Sequence, residues 1–263
     1  MPELPEVASF RRFFDRHFLN RRIASAQAHN PVIVRGISAG ELEESLQGRS
    51  FPGSRQHGKY LFAQVEKSPW LVMHFGMTGY LESFENREKE PPYTRLLIEF
   101  EDGGFFAYVN QRMLGWVGLV ADPDELIAAK ALGPDALTGN LRREEFKERL
   151  AHRRGDIKPA LMDQSIIAGI GNIYSDEILF QARIHPRKKV NELTGRQIGL
   201  IFEKIQSVLR TAVDRNADTS KFPEDFLLRD RRKGAFCPVC GGKLQTAKVS
   251  GRTAYFCPRC QSE

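Results

Sequence analysis

The stretch LMDQSIIAGIGNIYSDEILF, residues 161–180, contains two apolar segments of helical period on either side of a glycine-rich turn. Gly169 and Gly171 permit a tight turn, and Asn172 stands where the second helix is expected to begin. The first amides of a helix have no partner within it and attract phosphate. The stretch therefore predicts either a phosphate-binding helix start or a simple helix-capping turn.

Helical periodicity extends to both sides of this turn. The helical segments are residues 141–153, 157–167, 172–182 and 195–215. Residues 121–140 are rich in turn residues, and residues 216–236 are polar and irregular. The second half of the chain is therefore expected to be a helical domain, with a linker before it.

The four cysteines lie close to the C-terminus as two CxxC pairs, Cys237 with Cys240 and Cys257 with Cys260. Two such pairs at this spacing bring four thiolates around one tetrahedral Zn²⁺. The alternative is a pair of disulfides or free thiols, and the cytoplasm disfavours disulfides. A shell of four cysteines leaves no open coordination position, so the expected zinc is structural. Basic residues around the cysteines suit phosphate binding. They are Lys243, Lys248, Arg252 and Arg259.

The first half of the chain has a strand-like pattern, in which short apolar or aromatic runs are separated by Gly, Pro and charged turns. The runs are residues 59–65, 69–75, 94–100 and 104–109. This pattern predicts a β-sandwich or barrel. Val7, Phe10, Phe14 and Phe18 instead follow helical spacing. A helix with a buried aromatic stripe is therefore expected directly after the opening prolines.

Composition narrows the class of protein. With 263 residues, 41% of them hydrophobic, the chain can form one large domain or two ordinary ones. It has neither a run of about 18 apolar residues nor a signal-peptide pattern, so we expect a protein of the bacterial cytoplasm or nucleoid without membrane association. Lys plus Arg outnumber Asp plus Glu by 39 to 33, a formal charge of +6 that favours a polyanionic partner.

The chain opens with MPELPEV, residues 1–7, which holds two prolines and two glutamates. A disordered tail would explain this opening, because proline interrupts helices and sheets and chain ends are often disordered. A chemical role for these residues depends on the rest of the sequence.

Taken together, these motifs resemble the formamidopyrimidine-DNA glycosylase and endonuclease VIII family from end to end, and the formamidopyrimidine branch most. The matching motifs are MPELPEV at 1–7, GKYLF at 58–62, HFGMTG at 74–79, IKPALMDQ at 157–164, AGIGNIYSDEILF at 168–180, IHP at 184–186 and the four-cysteine finger. Several uncommon motifs in the same order make the resemblance specific.

The resemblance implies an α+β multidomain fold: an N-terminal β-sandwich flanked by helices, and a C-terminal helix-two-turn-helix domain with a four-cysteine zinc finger. The implied divisions are a catalytic domain at 1–120, a linker at 121–140, a DNA-binding domain at 141–222 and the finger at 229–263. The implied partner is damaged double-stranded DNA, bound by a monomer.

The resemblance also answers the question raised by the opening residues. If Met1 is removed, Pro2 carries a secondary amine that can attack C1′ of a damaged nucleotide, expel the base and form an iminium. β-Elimination and δ-elimination then cut the strand. Glu3 is the implied acid/base beside the sugar, and Glu6 lies near the damaged base. The implied function is a bifunctional DNA glycosylase and AP lyase of base excision repair.

DNA contacts are implied at further positions. Lys59, Asn172 and Arg259 match residues that hold phosphates beside the lesion, and Lys158 in IKPALMDQ matches a DNA-binding position. Seen alone, Lys59 and Arg259 would be interpreted as solvated surface charges. Extruding a base leaves a gap. Met77 matches a residue that fills it, and Arg112 matches one that contacts the widowed base.

The sequence departs from the family pattern at three places. Leu114 stands where the third insertion residue is usually Phe; leucine can wedge between bases but cannot stack as an aromatic ring does. The family's VYGRxG strand corresponds to RDRRKG at 229–234, and the segment 216–236 before the cysteines is short. QHGK at 56–59 replaces RRGK. A truncated base-capping loop is therefore expected.

These departures leave alternatives to the implied function. One is a specialised relative acting on oxidised pyrimidines, bulky adducts or abasic sites, with weak activity on 8-oxoguanine. Another is a lesion-binding protein that keeps the phosphate contacts but turns over poorly.

Overall fold

The computed structural model describes residues 2–67, 69–137 and 141–261. The aromatic stripe forms α1, Leu4–Phe18, as the spacing predicts. Val7, Phe14 and Phe18 are fully buried in the core. Pro5 is tolerated because the first turn of a helix needs no intrahelical N–H donor.

The chain divides into two compact units. The first comprises Pro2 and residues 6–130, and the second comprises Glu3–Pro5 and residues 131–261. Helix α3, Pro123–Ala129, lies inside the stretch expected to be a linker, and it belongs to the first unit.

The first unit contains two β-sheets. Its strands are β1 Ile23–Ala28, β2 Val34–Arg35, β3 Gly53–His57, β4 Tyr60–Gln64, β5 Trp70–His74, β6 Tyr80–Phe84, β7 Thr94–Phe100, β8 Phe105–Val109 and β9 Trp116–Val120. One sheet has the order β1-β7-β8-β6, and the other has the order β2-β9-β5-β4-β3. Within them only β2 and β9 pair in parallel. The four strand-like runs of the sequence are β4, β5, β7 and β8, as expected.

A single apolar core joins the two sheets of this unit. Leu96 and Ile98 on β7 and Leu71 and Met73 on β5 are fully buried, because alternate residues of each strand point inward. Helix α2, Ala39–Leu46, covers one side and begins with a capping box at Ser38. The architecture confirms the predicted β-sandwich flanked by helices.

The second unit is helical. Its helices are α4 Arg143–Ala151, α5 Ile157–Met162, α6 Asn172–Gln181 and α7 Gly195–Asp214. Their buried side chains, among them Phe146, Leu161, Ile178 and Leu209, form one core. Three short 3₁₀ helices complete the unit: Val190–Glu192, Thr219–Lys221 and Leu227–Asp230. Among the described residues, no helix combines the length and the apolar character needed to cross a bilayer.

The zinc finger ends the second unit. Strands β10, Gln245–Val249, and β11, Arg252–Phe256, form an antiparallel hairpin between the two cysteine pairs. Residues 229–234, which the resemblance compares with a strand, form none: the 3₁₀ helix Leu227–Asp230 is followed by irregular chain. Leu227 and Leu228 are buried in the helical core, and this burial draws the segment inward.

Candidate active site and DNA interface

Glu3 is fixed by the start of helix α6. Its carboxylate is fully buried and accepts three backbone N–H bonds, from Gly171 at 2.6 Å, Ile173 at 2.8 Å and Tyr174 at 3.2 Å. The amide of Leu4 also donates to the carbonyl of Gly169 at 3.0 Å. The residue that follows the candidate nucleophile Pro2 is therefore held in one place.

The glycines of the turn are required by this contact. A Cβ on Gly171 would lie 2.4 Å from the carboxyl carbon of Glu3, and one on Gly169 would lie 2.6 Å from Cδ1 of Leu4. Gly169 also has a φ of +113°, which other residues rarely adopt. The expectation of free amides facing phosphate here is thus wrong in one respect, because Glu3 occupies them.

Asn172 begins α6, and two cationic side chains donate to its backbone carbonyl. Its backbone carbonyl accepts bonds from Lys158 Nζ at 2.9 Å and from Arg231 Nη2 at 3.2 Å. Its side-chain Oδ1 is buried and has no hydrogen-bond partner. A buried acceptor without a donor is unusual and points to a missing donor, such as a water, at this residue.

Lys158 is buried and fully bonded, which differs from its expected role as a DNA contact. Its ammonium group donates to Asn172, to Ser175 Oγ at 3.0 Å and to Asp176 Oδ1 at 2.6 Å. These three bonds use all three of its N–H donors. Burial lowers the pKa of Lys158, and the neighbouring carboxylate of Asp176 opposes that shift. Lys158 therefore positions Asn172.

Asp176 joins Lys158 to the segment before the finger. Arg231 donates to its Oδ2 through Nε at 2.9 Å and Nη2 at 2.6 Å, and the Arg231 guanidinium lies 4.4 Å from the ring centre of Tyr255 on β11. The carboxylate of Glu3 also acts on Lys158, so two cations and two carboxylates lie beside Asn172. The sequence patterns did not identify Asp176 or Arg231, because a pair so distant in the chain leaves no local signal.

Lys59 lies in the two-residue turn between β3 and β4, where Gly58 takes a φ of +54°. The next strand places His74 opposite Tyr60, with ring centres 5.0 Å apart. Burial, together with the charges of Lys59, Arg35 and Lys130, lowers the pKa of His74 to about 4. His74 is therefore neutral at neutral pH beside a group of cations. His74 lies in the HFGMTG motif, but no local pattern in the sequence indicates a role for it.

Met77, Arg112 and Leu114 come together in two adjacent turns, β5–β6 and β8–β9. A Cβ on Gly76 would lie 2.4 Å from the backbone of Leu114, and the amide of Arg112 donates to Thr78 Oγ1 at 3.3 Å. Met77 and Leu114 are 42% and 47% exposed. Apolar side chains with such exposure at a turn are available to a partner.

Glu6 is half-buried in the first turn of α1, as is Pro2 just before the helix. In the finger, Arg259 is exposed, and its Nη1 donates to the carbonyl of Cys240 at 3.5 Å. That bond holds the guanidinium close to the metal-binding cysteines.

The four cysteines form a zinc site. Their sulfur atoms all lie within 4.8 Å of one another, and the pairs Cys237–Cys260 and Cys240–Cys257 are 3.8 and 3.5 Å apart. A Zn–S bond of about 2.3 Å places the sulfurs of a tetrahedron about 3.8 Å apart. The donor set therefore fits one structural Zn²⁺, as predicted.

Known proteins match the chain over nearly its whole length. Family models match at residues 1–117 (formamidopyrimidine-DNA glycosylase N-terminal domain), 132–224 (its H2TH domain) and 234–262 (zinc finger found in FPG and IleRS). A formamidopyrimidine-DNA glycosylase from Arabidopsis thaliana is 34% identical, covering 99% of this chain and 71% of that protein. The one from Pelotomaculum thermopropionicum is 32% identical, covering 99% of each.

Solved structures agree with these matches. The Lactococcus lactis formamidopyrimidine-DNA glycosylase, non-covalently bound to DNA containing an AP site, superposes with a TM-score of 0.91 at 29% identity, covering 99% of this chain and all of that one. The same protein with FAPY-dG DNA gives a TM-score of 0.90 at 29% identity with the same coverage. The chain therefore belongs to the formamidopyrimidine-DNA glycosylase family and is a DNA glycosylase of base excision repair with AP lyase activity.

Proposed function

We propose that the nucleophile of this enzyme is the secondary amine of Pro2, freed by removal of Met1. The nitrogen lone pair attacks C1′ of the damaged nucleotide, the bond from C1′ to the base breaks, and the base leaves with its electron pair and takes up a proton. The attached amine loses its proton, and its lone pair then expels O4′, which takes up a proton as the sugar ring opens. The product is an iminium between Pro2 and the ring-opened sugar. The observation that carries this proposal is the fixed position of Glu3. This residue follows Pro2 directly, and three backbone N–H groups hold its carboxylate in place.

The iminium then drives strand scission. It acidifies the proton on C2′; loss of that proton expels the 3′ phosphate, and a second elimination expels the 5′ phosphate. We assign Glu3 to proton transfer beside the sugar and Glu6 to the neighbourhood of the damaged base. Both carboxylates lie within four residues of the proposed nucleophile.

The phosphates are bound by a separate set of residues. We assign Lys59, Asn172 and Arg259 to phosphates beside the lesion. Asn172 is supported by its place at the start of α6, where Lys158 and Arg231 donate to its carbonyl. Lys59 is supported by the cluster of cations near His74, and Arg259 by its exposure on the finger. Lys158 acts through Asn172 as a positioning residue.

Base extrusion uses the two adjacent turns of the first unit. Met77 fills the gap, Arg112 contacts the widowed base, and Leu114 wedges beside them.

The bacterial cytoplasm or nucleoid, where DNA is found, is the proposed location. The domain boundaries 1–120, 141–222 and 229–263 likewise stay predictions.

A second candidate function is a narrower substrate range, limited to oxidised pyrimidines, bulky adducts or abasic sites. It is favoured by the burial of Phe222 and Phe226 within the short segment 216–236, where a base-capping loop would otherwise lie. This second candidate function uses the same chemistry at Pro2 as the first.

Borohydride trapping tests the nucleophile. The mature protein should form a covalent complex with abasic-site DNA, because borohydride reduces the Pro2 iminium to a stable amine. Pro2→Gly, which keeps a primary amine, should trap more weakly, and a protein that retains Met1 should not trap. Undiminished trapping with a blocked N-terminus would transfer the role to a lysine, and no trapping by the mature protein would support a lesion-binding protein instead.

A further inference from the structure

The described part of the first unit exposes five large apolar side chains. They are Val32, Met77, Tyr80, Tyr93 and Leu114. Isolated exposed apolar residues are ordinary, but a cluster of them marks a binding surface. Two of the five are the proposed wedge residues.

The strand register places all five at the same end of the sandwich. Thr94 and Tyr80 each pair with Val109 on β8, so the starts of β6 and β7 and the end of β8 meet. Ala28 at the end of β1 pairs with Leu96, and His74 at the end of β5 pairs with Trp116. The loops that carry the five residues therefore project from one end of the sandwich, here called the apolar edge.

Tyr93 is held against one of the two wedge turns, the name used here for the β5–β6 turn with Met77 and the β8–β9 turn with Arg112 and Leu114. Its carbonyl accepts the amide of Asn110 at 3.0 Å, two residues before Arg112. Asn110 in turn donates from Nδ2 to the carbonyl of Phe75 at 3.1 Å, which connects the turn of Met77. Tyr93 is thus bonded through its backbone to the start of the β8–β9 turn, and the side chain of Asn110 links that turn to the β5–β6 turn.

The backbone of Tyr93 is strained. Its φ is +67°, in the left-handed region that a bulky residue rarely adopts, and Met113 in the wedge turn has a φ of +51°. Such residues cluster at functional sites, because the surrounding structure must maintain them against their cost. In this backbone conformation the side chain of Tyr93 remains 51% exposed.

The surroundings of Tyr93 suit a nucleic acid. The guanidinium of Arg95 lies 5.8 Å from the centre of its ring and is fixed by a 2.9 Å bond from Nε to the carbonyl of Asn110. The nearby carboxylate of Glu90 is paired with His29 at 2.7 Å. An exposed aromatic ring with a fixed cation is the arrangement that stacks on bases and attracts phosphate.

Tyr80 on the same edge differs from Tyr93 in its surroundings. Its hydroxyl is hydrogen-bonded to Glu82, two residues along β6, and burial and this carboxylate raise the pKa of Tyr80. A carboxylate beside the ring repels the DNA backbone. Tyr80 therefore provides a matched comparison of the same residue type.

We propose that Tyr93 stacks on a base of the undamaged strand beside the base contacted by Arg112, and supplies the aromatic contact that Leu114 lacks. This inference rests on the proposed function of the wedge turns. It predicts that Tyr93 matters for duplex DNA, where the opposite strand is present, and has no part in the chemistry at Pro2.

The test is single-turnover cleavage of an abasic site, in a duplex opposite cytosine and in the same oligonucleotide as a single strand. Tyr93→Ala should slow duplex cleavage about tenfold, since stacking of a base on an aromatic ring contributes about 1–3 kcal/mol. Single-strand cleavage and its borohydride trapping should be unchanged. Tyr93→Phe should keep the wild-type rate, because the ring does the stacking.

A double variant separates stacking from a structural effect. Leu114→Phe should restore duplex cleavage in the Tyr93→Ala background, because it returns an aromatic ring to the same pair of turns. Tyr80→Ala should change duplex cleavage by less than about twofold, as expected for a ring that does not stack on a base. Equal losses in Tyr80→Ala and Tyr93→Ala, equal losses on both substrates, or no rescue by Leu114→Phe would overturn the proposal. Absence of trapping in the wild-type protein would instead overturn the proposed function.

Discussion

Glu3 and Asn172 show how the partner of a helix start decides what that start can bind. The amides that open an α-helix attract any anion, and in α6 three backbone amides at the start of the helix serve the carboxylate of Glu3. A DNA phosphate bound at Asn172, as proposed, would therefore contact the side chain and not these amides. The proposed phosphate contact and the proposed catalytic N-terminus would then share one helix.

The proposed phosphate contacts have a salt signature. Lys59→Ala and Arg259→Ala should each weaken binding to abasic-site DNA and lower the slope of log K against log salt by about one unit, because each removes one counterion-releasing contact. Asn172→Ala should weaken binding without changing the slope. The measurement is fluorescence anisotropy over a salt series, with the exposed Lys67→Ala as the control. An unchanged slope in Arg259→Ala would show that this residue does not touch phosphate.

At this scale the sequence predicted where residues lie in their elements better than what they touch. Periodicity and glycines placed Asn172 at the start of α6, and the CxxC spacing predicted the zinc site. Nothing local linked Glu3 to Gly171 or Asp176 to Arg231. Those contacts depend on the fold bringing distant segments together, so only the structure could supply them.

Among the elements, α6 has the least usual environment. Ser175, Asp176 and Glu177 are all buried in the middle of this helix, so its polar side chains must be satisfied inside the protein. Glu177 accepts the amide of Leu228 at 2.8 Å and a bond from Gln181 at 2.9 Å. It thereby anchors the 3₁₀ helix Leu227–Asp230 to α6.

Glu177 predicts a pH dependence of stability. Burial raises its pKa to about 7, and its hydrogen bonds from Gln181 and Leu228 only partly oppose that shift. The folded state therefore binds a proton more tightly than the unfolded chain. The contribution of this proton to the free energy of unfolding is fully present below about pH 4.5. It is lost as the pH rises to about 7, a change of about 3 kcal/mol in the free energy of unfolding.

Glu177→Gln should remove this contribution to the slope of the free energy of unfolding against pH, because an amide does not titrate in this range. The measurement is the free energy of unfolding by urea from pH 5 to pH 8, compared between variant and wild type. Glu203→Gln, on the exposed side of α7, should keep the wild-type slope. Identical slopes in wild type and Glu177→Gln would mean that Glu177 is already charged across this range.

The elements themselves were well predicted where a periodic pattern continued for several residues. The aromatic stripe of α1 and the four apolar strands follow from such patterns. Residues 229–234 did not become a strand, because buried Leu227 and Leu228 and the ion pair of Arg231 with Asp176 hold that segment against the helices. Charged sequence alone gives no sign of such an inward arrangement.

For the molecule as a whole, the segment 216–236 bears on which lesions are removed. A base-capping loop recognises an everted purine by adding contacts to its face. In this chain Phe222, Phe226, Leu227 and Leu228 of that segment are buried in the helical core. Their burial fixes the middle of the segment to the core and leaves less of it to cover a base, whereas the residues proposed for chemistry, phosphate binding and extrusion are all present.

We therefore expect rapid cleavage at abasic sites and excision of 8-oxoguanine opposite cytosine at least about tenfold more slowly, a difference of about 1.4 kcal/mol in transition-state binding. The measurement is single-turnover excision of 8-oxoguanine, formamidopyrimidine and oxidised pyrimidines beside abasic-site cleavage by the same preparation. Abasic DNA controls for the chemistry of Pro2, because it needs no base recognition. Removal of 8-oxoguanine as fast as abasic cleavage would mean that contacts outside 216–236 recognise the oxidised purine, and the short segment would then have no part in specificity.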